Sequence, residues 1–246
     1  MGSAKSRSIV WYWLPNLTRY SLTVLLSLVM LAESVGATPR NTQLQIAQQS
    51  GTPQDANRTA AEKLFQEGLE LFKQGTAESQ RQAIKKWEEA LKLWRQVDDK
   101  KWEAVTLLGI GSVYSDLGEK QQALTYYNQA LPLYRAVGNR SGEATILNNI
   151  GAVYNDLGEK QQALTYYNQA LPLRRAVGDR SGEASTLYNI GSVYDSLGEK
   201  QQALTYYNQA LPLRRAVGDR SGEATTLNSI GSVYDSLGEK QQALTY

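Results

Sequence analysis

The side chains that could do chemistry in this 246-residue sequence are carboxylates, arginines, tyrosines and amides, because it contains no Cys and no His. Those absences exclude a Cys/His zinc site, a thiol nucleophile, a disulfide framework and an imidazole general base. Glycoside hydrolysis by a carboxylate pair needs two acids facing one pocket. Here the acids recur in step along the chain and fall at turns and helix starts, and a position present several times is a poor unique active site. The Tyr-Tyr pairs at 126–127, 166–167 and 206–207 could stack nucleic-acid bases. In register, however, the second Tyr of each pair falls on a core position and the first flanks it. The Arg pairs at 174–175 and 214–215 could touch phosphates. Net charge is only +2, and each full unit between Ser141 and Arg220 carries equal numbers of basic and acidic side chains, so an ion-paired solvated face is the better reading. The Asn-X-Ser/Thr matches at Asn16, Asn57 and Asn139 are no more than chance supplies. No catalytic residue, cofactor or metal is expected, and no nucleic-acid partner. Hydrogen bonding by Asn and Tyr side chains is the chemistry that remains.

The elements that must position those groups are repeats. Gly111, Gly151, Gly191 and Gly231 lie 40 positions apart, and LGEKQQALTYYNQALPL recurs from Leu117, Leu157 and Leu197. A period in this range means stacked supersecondary units. Each unit reads as two helices. Asn139, Asp179 and Asp219 can cap the first, with Glu143 in its opening turn. Leu147, Ile150, Gly151, Tyr154 and Leu157 make its apolar stripe. Gly158 stops it in the left-handed conformation. Glu159 starts the second helix, with Ala163, Leu164, Tyr167, Ala170 and Leu171 as its stripe. Pro132, Pro172 and Pro212 fall inside the second helices, where a bend or an early end is expected. Residues 58–100 read as a divergent first unit, whose Trp87 and Trp94, with Trp102, are expected to close one end of the stack. Units follow at 101–140, 141–180 and 181–220, and a last, truncated one at 221–246.

These residues resemble the tetratricopeptide repeat (TPR). The family has an apolar–Gly pair with an aromatic three positions on, then Ala, aromatic and Ala in the second helix. Here these are Ile150-Gly151, Tyr154, Ala163, Tyr167 and Ala170, and the match covers about residues 60–246. The period of 40 rather than 34, with GDRSGEA at the junction, looks like the kinesin-light-chain type, and the usual proline is displaced inward. The resemblance implies an all-α fold, a right-handed superhelical solenoid of antiparallel helix pairs. It also implies that a protein or peptide partner lies in the concave groove. Exported bacterial arrays of this type are often followed by a CHAT-type peptidase domain, which would make the chain a sensing or docking arm.

Comparison of the copies locates that groove. The second helices are nearly identical, whereas the first helices vary at 145, 146, 148, 149, 152, 155 and 156 and their equivalents, mostly at spacings of three and four. In the family, this face lines the groove. The candidate partner-binding residues are Asn148, Asn149, Asn155, Asp156, Tyr188, Asn189, Asp195, Asn228 and Asp235. The amides could clamp an extended backbone, Tyr188 could anchor a side chain, and Asp116, Asp156, Asp195 and Asp235 would make the groove mildly acidic.

The two ends carry further expectations. Lys5, Arg7 and Arg19 precede a short apolar run, Ser21 to Ala32, and Val35-Gly36-Ala37 offers a cut site. That is the pattern of a secretory signal in residues 1–37, cleaved near Ala37, and the run is too short to span a bilayer. Export to the periplasm or outside the cell follows, with no other membrane contact; the alternative is that the segment is kept as an uncleaved anchor. Residues 38–57, rich in Gln, Thr and Asn, read as a flexible linker. Tyr246 falls early in a second helix, so a continuing chain is expected, or self-association through an open C-terminal end.

Overall fold

A computed structural model describes residues 52–245. The expected signal segment at 1–37 and most of the expected linker lie outside these residues. The described helices are α1 (Pro53–Gln74), α2 (Ala77–Gln96), α3 (Lys100–Asp116), α4 (Lys120–Ala136) and α5 (Arg140–Asp156), then α6 (Lys160–Ala176), α7 (Arg180–Ser196), α8 (Lys200–Ala216), α9 (Arg220–Ser236) and the short α10 (Lys240–Ala243). No strand occurs among the described residues. Packing is strongest within the pairs α1–α2, α3–α4, α5–α6 and α7–α8. Each pair then packs on the next, and α3–α5 and α5–α7 also touch, so successive first helices line one wall.

The linker expected to reach Asn57 ends earlier. Thr52 and Asp55 form a reciprocal capping box, with Pro53 in the first helical turn, and α1 starts there. Its first turns lie over the α2–α3 turn. Gln54 donates to the Val97 carbonyl at 3.4 Å, and Arg58 meets Asp99 at 2.6 Å.

The turns within and between units are built alike. After α5, Gly158 takes φ +81, and the Glu159 N–H donates to the Tyr154 carbonyl at 2.9 Å. This closes the helix with a left-handed residue and a bond spanning its last turn. Between units, Asn139, Asp179 and Asp219 accept from the N–H of Gly142, Gly182 and Gly222, which are the caps expected from sequence. The first such turn departs from the others. Asp98 holds φ +55 where later units have Gly.

Within each unit the helices meet at a glycine. A Cβ added to Gly151 would lie 2.8 Å from the Tyr167 ring, and one on Gly191 would lie 2.7 Å from Tyr207. The aromatic ring and the missing Cβ therefore set the helix separation. Tyr127, Tyr167 and Tyr207 are buried, as expected of core positions. Tyr126, Tyr166 and Tyr206 are half-buried and stack on Tyr114, Tyr154 and Tyr194 at 5.4 Å. Trp87 and Trp94 are fully buried, with Phe65 and Trp102 around them, so the first unit and its junction with the second form an aromatic core.

The early helix end expected at the prolines is not observed. Pro132, Pro172 and Pro212 lie within α4, α6 and α8, which run on to Ala136, Ala176 and Ala216. Each proline is exposed, as are Asn128, Asn168 and Asn208 four positions back. Water can take the carbonyl that the proline leaves without a donor, while the buried Leu131 and Tyr134 and their equivalents hold the helix in place.

Candidate functional site

The varying positions of the first helices separate into three environments. Ile146, Thr186 and Thr226 are buried within the stack, so this position does not face a groove; Thr145 is buried too, while its equivalents Ser185 and Thr225 are half-buried. This corrects the expectation of one shared open face. A face read from three-and-four spacing is broader than the strip that neighbouring units leave uncovered.

The second group joins one unit to the next. Asn148 Oδ1 accepts from Thr186 Oγ1 at 3.1 Å and from Asn189 Nδ2 at 3.3 Å, linking α5 to α7. Asn149 hydrogen-bonds the Tyr127 hydroxyl, which also donates to Ser112 at 3.3 Å. Tyr188 is half-buried. Its hydroxyl lies 3.1 Å from Ser229 Oγ, its ring 5.3 Å from that of Tyr207, and the Arg214 guanidinium 4.8 Å from the ring centroid. Tyr188 is thus a strut between α7, α8 and α9. Burial pushes the phenols of Tyr127, Tyr167 and Tyr207 above their ordinary range, so they stay neutral hydrogen-bonding groups.

The third group sits at the ends of the first helices. Lys160 Nζ donates to Asn155 Oδ1 at 2.8 Å; Lys120 meets Asp156 and Lys200 meets Asp195, both at 2.5 Å. Two of the four carboxylates expected to make the groove acidic are therefore matched by lysines, and the wall is closer to neutral there. Asn228 and Asp235 are exposed on α9. The structure thus brings Asn148, Asn149, Tyr188 and Asn189 together along the wall and leaves Asn155, Asp156, Asp195 and Asp235 at its edge.

Arg214 and Ser229 were not among the expected site residues. Arg214 is buried; desolvation lowers its pKa against the opposing pull of Asp219, 3.7 Å away, and its Nε and Nη1 have no hydrogen-bond partner. The signal lay in the second helices. Stepping by 40, Trp94, Tyr134, Arg174 and Arg214 share one position, and the residues 26 before the last three are Leu108, Asn148 and Tyr188. The wall thus turns from apolar to polar along the array, and only a comparison of both helices together shows it.

Among the described residues there is no cluster of three or more metal-ligating side chains, and no helix is long and apolar enough to cross a membrane. What the wall offers is amide, hydroxyl and phenol groups on rigid helices.

The tetratricopeptide repeat family model matches residues 76–136 and 142–216. No curated protein matches the chain. Several solved structures share the fold. BtubC (BKLC) from P. vanneervenii aligns with TM-score 0.57 at 18% identity, over 79% of this chain and 88% of that one. A Rap protein complexed with Competence and Sporulation Factor aligns with TM-score 0.64 at 20% identity, over 93% of this chain and 62% of that one. The kinesin light chain nearly identical TPR-like repeats of Podosopora anserina align with TM-score 0.59 at 11% identity, over 79% and 93%. At such identities these likenesses speak for the fold alone. With antiparallel helix pairs stacked into a right-handed superhelical solenoid and the family's own model matching over half of its length, the chain belongs to the tetratricopeptide repeat family.

Proposed function

We propose that this chain is a non-enzymatic, exported scaffold that holds a protein or peptide segment along the wall of its first helices. The observation that carries the reading is the row of half-buried amides and hydroxyls on that wall, Asn148, Asn149, Asn189 and Ser229, set on helices whose spacing the glycine–tyrosine contacts fix. Rigid, regularly spaced donors and acceptors suit an extended backbone, because little ordering entropy remains to be lost on binding. The Rap protein bound to its factor is a precedent for a repeat array that holds a partner. Export rests on the basic start, short apolar run and small residues before Ala37.

The test uses two exposed positions on α9. Asn228→Arg and Ser232→Arg place a long charged side chain on the wall, and Gln209→Arg places one on the opposite, outer face of α8. Affinity capture from the exported fraction should lose its specific partner with either wall variant and keep it with the outer one. Loss with the outer variant alone would overturn the assignment.

A second reading, a docking arm of a larger enzyme such as a CHAT-type peptidase, is favoured by the kinesin-light-chain-like period. Reading the gene beyond codon 246 decides between a free adaptor and such an arm.

A further inference from the structure

We propose that the two turn edges of the array are complementary surfaces through which copies of this chain associate side by side. Because the helices alternate in direction, every turn within a unit lies on one edge and every turn between units lies on the other. The same repeat step spaces both edges.

The edges carry opposite charge. In the α6–α7 turn, Arg174, Arg175 and Arg180 stand against Asp179 and Glu183. Arg174 is held by Asp179 and Arg175 by Glu183 at 2.6 Å, which leaves Arg180 as the excess cation. The α4–α5 and α8–α9 turns keep the same excess of one: Arg140 is the extra cation in the first, and in the second Arg215 and Arg220 share Glu223 at 2.7 and 3.2 Å. On the opposite edge, the α7–α8 turn sets Asp195 and Glu199 against Lys200, which takes Asp195. Glu199 is the excess anion there, and Glu159 and Glu239 hold its place in the neighbouring units.

Each edge also leaves one aliphatic side chain open per unit. Val137, Val177 and Val217 are 41%, 41% and 42% exposed on the basic edge, and Leu157, Leu197 and Leu237 are 37%, 38% and 37% exposed on the acidic edge. The first unit shows how such a turn looks when covered. Val97, at the same position, is only 5% exposed, because the start of α1 lies over it. That turn also has no excess charge, with Arg95, Lys100 and Lys101 against Asp98, Asp99 and Glu103. Open valines and an excess positive charge therefore occur together and repeat together. The surface that matches them in sign, spacing and apolar content is the other edge of a second copy. Such a contact is heterologous and runs on from copy to copy. It differs from an end-to-end contact through α9 and α10, because it uses the sides of the array.

Sedimentation velocity on the exported full chain tests this. At about 20 mM salt the sedimentation coefficient should rise with concentration. It should fall back toward the monomer value near 0.5 M, where the screening length is well under about 10 Å. Reversing the basic edge (Arg140→Glu, Arg180→Glu, Arg220→Glu) should weaken association at least tenfold, and so should reversing the acidic edge (Glu159→Lys, Glu199→Lys, Glu239→Lys). An equimolar mixture of the two variants should associate again, since one then has two acidic edges and the other two basic ones. Cooperative melting near the wild-type temperature checks that both are folded. A wild-type chain that stays monomeric at low salt overturns the proposal. Association that both variants retain overturns it too, and points to the array ends. The wild-type salt series decides the matter even if a variant fails to fold.

Discussion

Tyr188, read from the sequence as able to anchor a partner side chain, braces α7, α8 and α9, and its truncation tests that strut role. Tyr188→Ala removes a half-buried ring, worth about 2 kcal/mol when the cost of truncating a fully buried aromatic is about 3–5 kcal/mol. It also removes the bond to Ser229, about 1 kcal/mol, and the ring face under Arg214, up to about 2 kcal/mol at a desolvated site. These contributions overlap, and a loss of about 3 kcal/mol is expected. Tyr188→Phe keeps the ring and should lose about 1 kcal/mol. Arg214→Met replaces a buried cation with few partners by an apolar chain of similar length, and should be neutral or stabilising. With Met at 214, the cost of Tyr188→Ala should shrink by about 1–2 kcal/mol, which a double-mutant cycle in urea measures. In a repeat array the loss falls on the α7–α9 junction, and appears as a lower midpoint or an earlier separate transition. A Tyr188→Ala variant within about 0.5 kcal/mol of wild type, with no coupling to Arg214, would refute the strut.

Three further outcomes follow from the same contacts. Gly151→Ala gains about 1 kcal/mol of helix propensity but sets a Cβ 2.8 Å from Tyr167 and 3.2 Å from the Ala163 carbonyl, so a net loss of about 1–2 kcal/mol is expected in thermal melting. Asp98→Gly relieves a non-glycine residue at φ +55 for the loss of an exposed ion pair with Lys100, and should raise stability by about 0.5–1 kcal/mol. Melting temperature should be flat from about pH 6 to pH 9, since there is no His to titrate. It should fall on acidification through and below the ordinary carboxylate range. Glu223, whose bond to Arg215 holds its pKa down, stabilises the fold only while ionised. Above about pH 10 it should fall again, because Tyr127, Tyr167 and Tyr207 ionise more readily unfolded than buried.

The fold could be read from the sequence because each unit repeats one consistent set of local signals. Gly158 and its equivalents end first helices, Asn139, Asp179 and Asp219 start them, and the Gly151–Tyr167 contact recurs in register. The early end expected at the prolines fails because helix position alone was weighed. Their cost depends on whether water can reach the freed carbonyl, which is a matter of which face they occupy. The wall was legible only in outline. Asn148 and Asn189 do lie on it, but Thr186, expected beside them, is buried. The lysines that take Asn155, Asp156 and Asp195 come from second helices that looked uninformative because they hardly vary. Contacts between units decide these environments, and a single unit's periodicity does not contain them.

Site-specific photocrosslinking in the native host tests the binding wall most directly. A benzophenone side chain replaces Asn189 or Asn228 on the first helices, or Gln169 or Gln209 on the outer faces of α6 and α8. The account predicts a discrete partner adduct from the first-helix positions and none from the outer ones. Adducts formed equally from both faces, or from Gln169 and Gln209 alone, would contradict it.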